Sequence, residues 1–406
     1  MKAIQPTFGQ VITAQAAIKP GVYPLGGDKA GPALTITLSD SYLDLSGVAL
    51  IGVHHEPHRF KGVGILLKGC KGLRLSGVTV LRYHRGIVLE DCEDVTLVDC
   101  HADHNGCHRF YSTEEKYDKR DFLDIFDYKV WSKYGAGIYL SKCKRCTIHR
   151  TSACNQLNGI ILDQCDECLV QGCECTDNLG WGVRLYRSSY NRIIGNDLSH
   201  CISGETPYYS VGNDSTGICI CHACHFNVIA DNDLQYGGDG FFLTADLGTE
   251  QSNDNLIIGN DGSYSPHNAF ESTFCLRNRF YGNTASHSGY GFWMGFSCDN
   301  HVVDNEILGN RRAGIAIEHA EGNLIAGNEI GYNREQGVLL MRRRKEGPPS
   351  RRYRIEANHF EWNGVGVELS ESTEITLYRN TFLGTGKPWT EDKGCKRNQF
   401  RENDVR

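Results

Sequence analysis

Two kinds of residue in this chain have the chemistry and the spacing to act on something. Cysteines come as C-x-x-C pairs, Cys143 with Cys146 and Cys165 with Cys168, in "CKRCTIHRTSACNQLNGIILDQCDEC". Two such pairs have the spacing of a small zinc site closed by four thiolates. Farther on, acids recur beside aromatic residues: Asp239 in "GGDGFF", Glu271 in "NAFEST" and Glu318 in "GIAIEH", with Phe242, Tyr290 and Trp293 among them. A pair of carboxyl groups can cleave a glycosidic bond, one as acid and the other as base or nucleophile. Which chemistry is realised depends on the elements that carry these side chains.

Those elements repeat. Glycines 86, 137, 159, 182, 217, 240, 291, 314 and 366 each open a G-x-x-[LIM] segment, as in "GIYL", "GFFL" and "GIAI". The undisturbed interval is 22 residues from Gly137 to Gly159 and 23 from Gly159 to Gly182. Fourteen residues past most anchors one column returns: Cys100, Thr151, Cys173 and Asn196, then Asn305, Asn328 and Asn380. Asn232, Asn260, Asn283 and Asn358 join it once small insertions are allowed. A unit this short cannot bury a face alone, so neighbours must stack into a solenoid. Alternation in "GIYLS" puts Ile138 and Leu140 inward and Tyr139 and Ser141 outward, and a second strand follows in "CTIHR", "CLVQG", "NRIIG" and "NLIAG". Asn suits the inner turn, where its amide bonds the coils above and below.

The repeat also accounts for the cysteines. Cys92, Cys143 and Cys165 share a column with Ser188, Cys275, Ser297 and Ser372, while Cys146 and Cys168 share one with Asn191, Asn278, Asn300 and Asn323. Each pair is therefore two rungs of columns held elsewhere by other small or amide residues, and Cys packs there as a small hydrophobe. No metal is read from it.

This pattern resembles the right-handed parallel β-helix superfamily, and within it the carbohydrate-binding and sugar-hydrolase repeat group, over residues of about 60 to 385. The resemblance implies an all-β solenoid and a glycan as the substrate class. Members include glycoside hydrolases, polysaccharide lyases, uronan epimerases and non-catalytic accessory proteins. The sharper signatures of polygalacturonases and pectate lyases are missing, and "EPHR" at 56–59 only echoes the D-P-H of mannuronan epimerases.

Composition narrows the partners. A net charge of -7 with charged residues at 22% argues against a nucleic-acid binder, and no apolar run is long enough for a membrane helix. The start shows no apolar leader core; with 18 cysteines, that reads as a reducing, cytoplasmic setting, or as a periplasmic or secreted one if a leader has been removed. Residues 1–33 are expected to cap a solenoid spanning 34–385, closed by 386–406 in one domain. Insertions at 104–134, 201–214, 245–254 and 342–352 break the period; the first three are expected to wall a groove, and the basic fourth is a solvated loop.

Over that groove the outward positions of the first strand, with the turn just before it, collect Asp163, Arg184, Tyr186, Arg187, Phe242, His267, Tyr290 and Trp293. Rings take the apolar face of a sugar, and charged groups take its hydroxyls or acids. The expectation is a glycoside hydrolase with Glu271 and Asp239 as acid and base, Glu318 as the other partner for Glu271, and no cofactor. The alternative is a lyase or uronan epimerase drawing on Arg184, Arg187, Tyr186, Lys129, His222 and His267, for which calcium would be a natural ligand; a non-catalytic glycan binder is the third reading. The sequence sets no oligomeric state.

Overall fold

The computed structural model describes residues 3–26, 30–111, 113, 116, 118–203, 214–246, 249–342 and 347–406. Of the expected insertions, 204–213 and 343–346 lie outside the described residues, as do 112, 114, 115 and 117 of the first and 247–248 of the third. The chain forms two compact units, Met1–Cys219 and Ile220–Arg406.

Both units are stacks of parallel coils, and among the described residues every ladder between named strands is parallel. In the first unit, Val63–Lys68, Arg85–Glu90, Ala136–Ser141, Ile160–Asp163 and Trp181–Tyr186 follow one another in one sheet. Register places Ile65, Ile87, Ile138, Ile160 and Val183 in a single file, all fully buried. The second unit repeats this with Asp239–Thr244, Asn268–Thr273, Tyr290–Gly295, Ile315–Glu318 and Gln336–Met341. There the file is Phe241, Phe270, Phe292 and Ile315, with Phe270 stacked on Phe292 at 5.0 Å. Each buried side chain contributes about 1.5–3 kcal/mol. The fold is an all-β, right-handed parallel β-helix, as the period implied. The one α-helix among the described residues is a single turn, Tyr128–Trp131, inside the first insertion.

The Asn column is a hydrogen-bonded ladder. In the second unit the backbone N–H of Asn283 donates to Oδ1 of Asn305 (2.8 Å), that of Asn305 to Asn328 (2.9 Å) and that of Asn328 to Asn358 (3.0 Å). Nδ2 of Asn305 also donates to the carbonyl of Phe280 at 3.0 Å, so the amide joins three coils. Truncation orphans several buried groups, each costing about 1–3 kcal/mol. Asn305→Ala should therefore lose about 3–5 kcal/mol in urea unfolding; a loss below about 1 kcal/mol would show the ladder to be ornamental.

The cysteines occupy ladder slots. The N–H of Cys143 donates to Sγ of Cys165 (3.4 Å), that of Cys165 to Oγ of Ser188 (2.9 Å), and that of Cys168 to Oδ1 of Asn191 (2.8 Å). Among the described residues no three cysteines bring their sulfurs within 4.8 Å of one another. All 18 are free thiols, and burial holds Cys173 up at about 11 and Cys201 and Cys275 at about 12. Thiols kept protonated in a packed core are inert.

Candidate active site

The first unit corrects the expectation for three residues. Strand alternation does turn Asp163, Arg184 and Tyr186 outward, but the later part of the insertion, 118–134, lies across that face and seals them. Arg184 is 0% exposed, its guanidinium 4.2 Å from the ring centre of Trp131 and 4.1 Å from that of Trp181, with Nη2 donating to the carbonyl of Ile125 at 2.7 Å. Tyr186 is buried under Trp131, ring centres 4.7 Å apart. Asp163 is buried too, its Oδ2 accepting from the hydroxyls of Tyr128 (2.9 Å) and Tyr139 (2.7 Å). These groups clamp the insertion and cannot hold a sugar. Arg187 stays exposed, 5.3 Å above the ring of Tyr186.

The clamp has an alkaline limit. Burial first, and the hydrogen bond to Asp163 second, push the Tyr128 phenol up to about 12. A phenol raised on folding contributes stability below its unfolded value of about 10 and loses it as pH climbs through the folded value. Proteolysis of the insertion should accelerate between about pH 10 and 12, and Tyr128→Phe should blunt that acceleration. An identical pH response in the variant would remove Tyr128 from the clamp.

The second unit brings together Asp239, His267 and Glu271. Asp239 opens its strand and is 2% exposed; its Oδ1 accepts from the backbone N–H of Asn268 at 2.8 Å and lies 2.9 Å from Nδ1 of His267. An ionised carboxylate only accepts, so the contact is a hydrogen bond in the tautomer with the proton on Nδ1, an atom that also lies 3.1 Å from Nδ2 of Asn268. Glu271 lies on the same side of the ring, Oε2 4.0 Å from Nδ1, and is held by Nδ2 of Asn268 at 2.6 Å. The His267 side chain is 36% exposed, so a buried acid orients a ring that reaches solvent.

On the next coil Tyr290 stands in register with Asn268, and Trp293 with Glu271. The Tyr290 and Trp293 rings pack at 5.1 Å. One coil farther, Arg312 donates from Nη1 to the Tyr290 hydroxyl at 3.0 Å, a bond that raises its own pKa. Arg312 escaped the sequence reading, although it occupies the slot two residues before an anchor that His267 occupies one repeat pair earlier.

Other expected residues stand apart from this group. Phe242 pairs with Glu271 in register, but its strand is buried along its whole length and the ring is 4% exposed, packed rather than presented. Glu318 lies opposite Gly295, off the register of Glu271 and outside the cluster, with a buried Oε2 that finds no partner among the described residues. His222 is a buried turn residue, Nδ1 3.2 Å from Glu250, and Lys129 is exposed on the short helix.

Parallel coils, polar inner ladders and a cluster of ionisable groups on the outer face of one sheet define a right-handed parallel β-helix protein. Within that class the chain belongs to the family described as periplasmic copper-binding protein (NosD), whose model matches residues 33–204 and 227–403. No curated protein matches it in sequence. Similar solved structures include the A-module of a mannuronan C-5 epimerase from Azotobacter vinelandii, at 14% identity and a TM-score of 0.48 over 98% of this chain and 91% of that one. A mutant form of a periplasmic alginate epimerase aligns at 14% and 0.48, covering 98% of this chain and 83% of its own. The Dettilon tailspike protein aligns at 14% and 0.47, covering 94% of this chain and 62% of its own.

The family's descriptor raises the question of a metal. Asp239, His267 and Glu271 are the one group of three or more His, Cys, Asp or Glu ligand atoms lying within 4.8 Å of one another among the described residues. They are a poor match for a resident copper ion, since Nδ1 would have to give up its contact with Asp239 to ligate there. The soft sulfur donors that cuprous ion favours are spent in the ladders. Nor does an imidazole suit calcium, which takes oxygen ligands. No helix is long and apolar enough to cross a membrane among the described residues. The cytoplasmic expectation has no support: the family's descriptor is periplasmic, and the buried thiols are shielded whatever the compartment.

Proposed function

We propose that the second unit abstracts the C-5 proton of a uronic-acid residue in an acidic glycan, leading to epimerisation or to β-elimination. The observation that carries this reading is the contact between the half-buried His267 ring and buried Asp239. With Nδ1 tied to a carboxylate, Nε2 is the basic atom and the growing imidazolium charge is stabilised. Arg312, paired with Tyr290, supplies the cation that the substrate carboxylate needs as C-5 loses its proton. Trp293 offers an apolar surface to the sugar ring.

In the first step the C-5–H bond breaks, the proton goes to Nε2 of His267, and the electron pair spreads into the carboxylate as an enediolate. Returning a proton to the opposite face completes epimerisation. Alternatively the C-4–O bond breaks, a C-4=C-5 double bond forms, and the leaving oxygen takes a proton, with the Tyr290 hydroxyl as its donor. Hydrolysis by Asp239 and Glu271 has less support, because Asp239 is 2% exposed and committed to two donors. The family's descriptor favours work in the periplasm.

The test is incubation with oligomannuronate and oligogalacturonate in D₂O. Deuterium at C-5 is expected by NMR, and ultraviolet absorbance from a conjugated double bond separates elimination from epimerisation. Cleavage that adds water, with protium kept at C-5, would restore the hydrolase.

A further inference from the structure

Four of the site residues stand three positions after a turn residue of positive φ: Asp239 after Tyr236, His267 after Tyr264, Tyr290 after His287 and Arg312 after Gly309. The next two coils put Tyr332 and Trp362 in the same slot. The fold demands the left-handed backbone there but not a ring, since the first unit also fills this turn with Arg82, Asn155 and Asp177. Bulky side chains are unfavourable in that conformation. Burial does not compensate: Tyr236, Tyr264, Tyr332 and Trp362 are 43%, 45%, 55% and 56% exposed.

We infer that this rank, from Tyr236 to Trp362, is a docking strip for an acidic glycan chain, leading it past His267. Five coil steps make it about 24 Å long, enough for an oligomer. Tyr236 stacks on Tyr264 at 5.1 Å and Tyr264 on His287 at 5.2 Å, so those rings turn their edges outward. Ring edges carry positive polarity, and with nearby Arg312 they suit carboxylates rather than neutral sugar, whereas the Tyr332 hydroxyl is already bonded to Glu361 and contributes its ring alone. Two glycines complete the strip: a Cβ on Gly309 would come 2.8 Å from the His287 ring, and one on Gly384 would come 2.7 Å from the Trp362 indole. Both rings therefore lie across the following turn, and Trp362 adds a flat platform for the apolar face of a sugar. At most about 11 Å of chain separates each rank position from its site residue, so one polymer can engage both. The assignment rests on an acidic-glycan site at His267.

Affinity is measured by calorimetry in a His267→Gln background, where no turnover disturbs it, with an oligouronate long enough to span the strip, a uronate dimer and a neutral maltooligosaccharide. Two aromatic contacts at about 0.5–1.5 kcal/mol each give about a 5- to 150-fold weaker Kd for the long chain in Tyr264→Ser/Trp362→Ser, with the dimer unchanged. Tyr332→Ser alone should weaken it by about 2- to 10-fold. Unchanged affinity in the folded variants overturns the strip, as does a parent that binds no long chain, and equal binding of the neutral chain overturns its acidic specificity. Binding and C-5 exchange are separate readouts, so failure of the strip is distinguishable from failure of the base assignment.

Discussion

His267→Gln should slow deuterium exchange at C-5 by about 10²–10⁴-fold, the range expected when a positioned general base is lost. Glutamine preserves much of the shape and can still donate toward Asp239, but it has no basic atom at neutral pH. The expected signature is a fall in kcat at nearly constant KM, because binding falls to Arg312, Tyr290 and Trp293 while the ring acts as the proton leaves. Asp239 acts as a positioning residue, 2% exposed and 2.9 Å from Nδ1. Asp239→Asn should therefore lower kcat and displace the basic-form limb of the pH–rate profile, a change that a merely structural role would not produce. Glu271→Gln removes the second carboxylate beside Nδ1, 4.0 Å away, with a smaller loss. Exchange at the parental rate in folded His267→Gln would end the reading.

Arg184→Ala is expected to be the most destabilising change in the first unit, at about 3–5 kcal/mol. Its guanidinium fills the gap between the indoles of Trp131 and Trp181 and donates to Ile125 of the insertion, so truncation empties a cavity and frees a segment together. The buried charge is not optimal in itself, since Nε has no partner among the described residues. Replacing a buried ion with an apolar side chain of similar volume is often tolerated. Arg184→Met should thus recover much of the stability, with a net loss of about 1–2 kcal/mol. Urea unfolding followed by tryptophan fluorescence reads both variants, and limited proteolysis locates the freed segment at 104–134. Equal losses for Ala and Met would show that the charge, not the volume, holds the insertion.

The contrast between these two residues marks what a sequence of this kind discloses. Gly137 to Gly182 and the column from Asn283 to Asn380 were legible because a solenoid repeats the same steric demand on every coil. The cysteines were legible for the same reason, as tenants of slots that Ser and Asn hold elsewhere. Alternation separates inward from outward but not wet from dry. Arg184 and Phe242 point outward and are nonetheless buried, and nothing local to their strands says so. In the site, Asp239, His267, Glu271, Tyr290 and Trp293 were found as neighbours in columns, but their division of labour was not. Asp239 reads as an acid on paper and behaves as the anchor of an imidazole, because a backbone N–H and a ring nitrogen reach it first. Arg312 was missed because turns of unequal length shift the count before each anchor; counting from the left-handed turn residue finds it.

The thiol ranks of the first unit have a use as a gauge. Each sits in a known coil, is shielded in the native state and becomes reactive only when that coil opens. The rate at which an alkylating reagent labels Cys100, Cys173 or Cys201 therefore reports the local opening free energy of one rung at a time, without an introduced probe. The molecule carries its own calibrated scale for where unravelling begins.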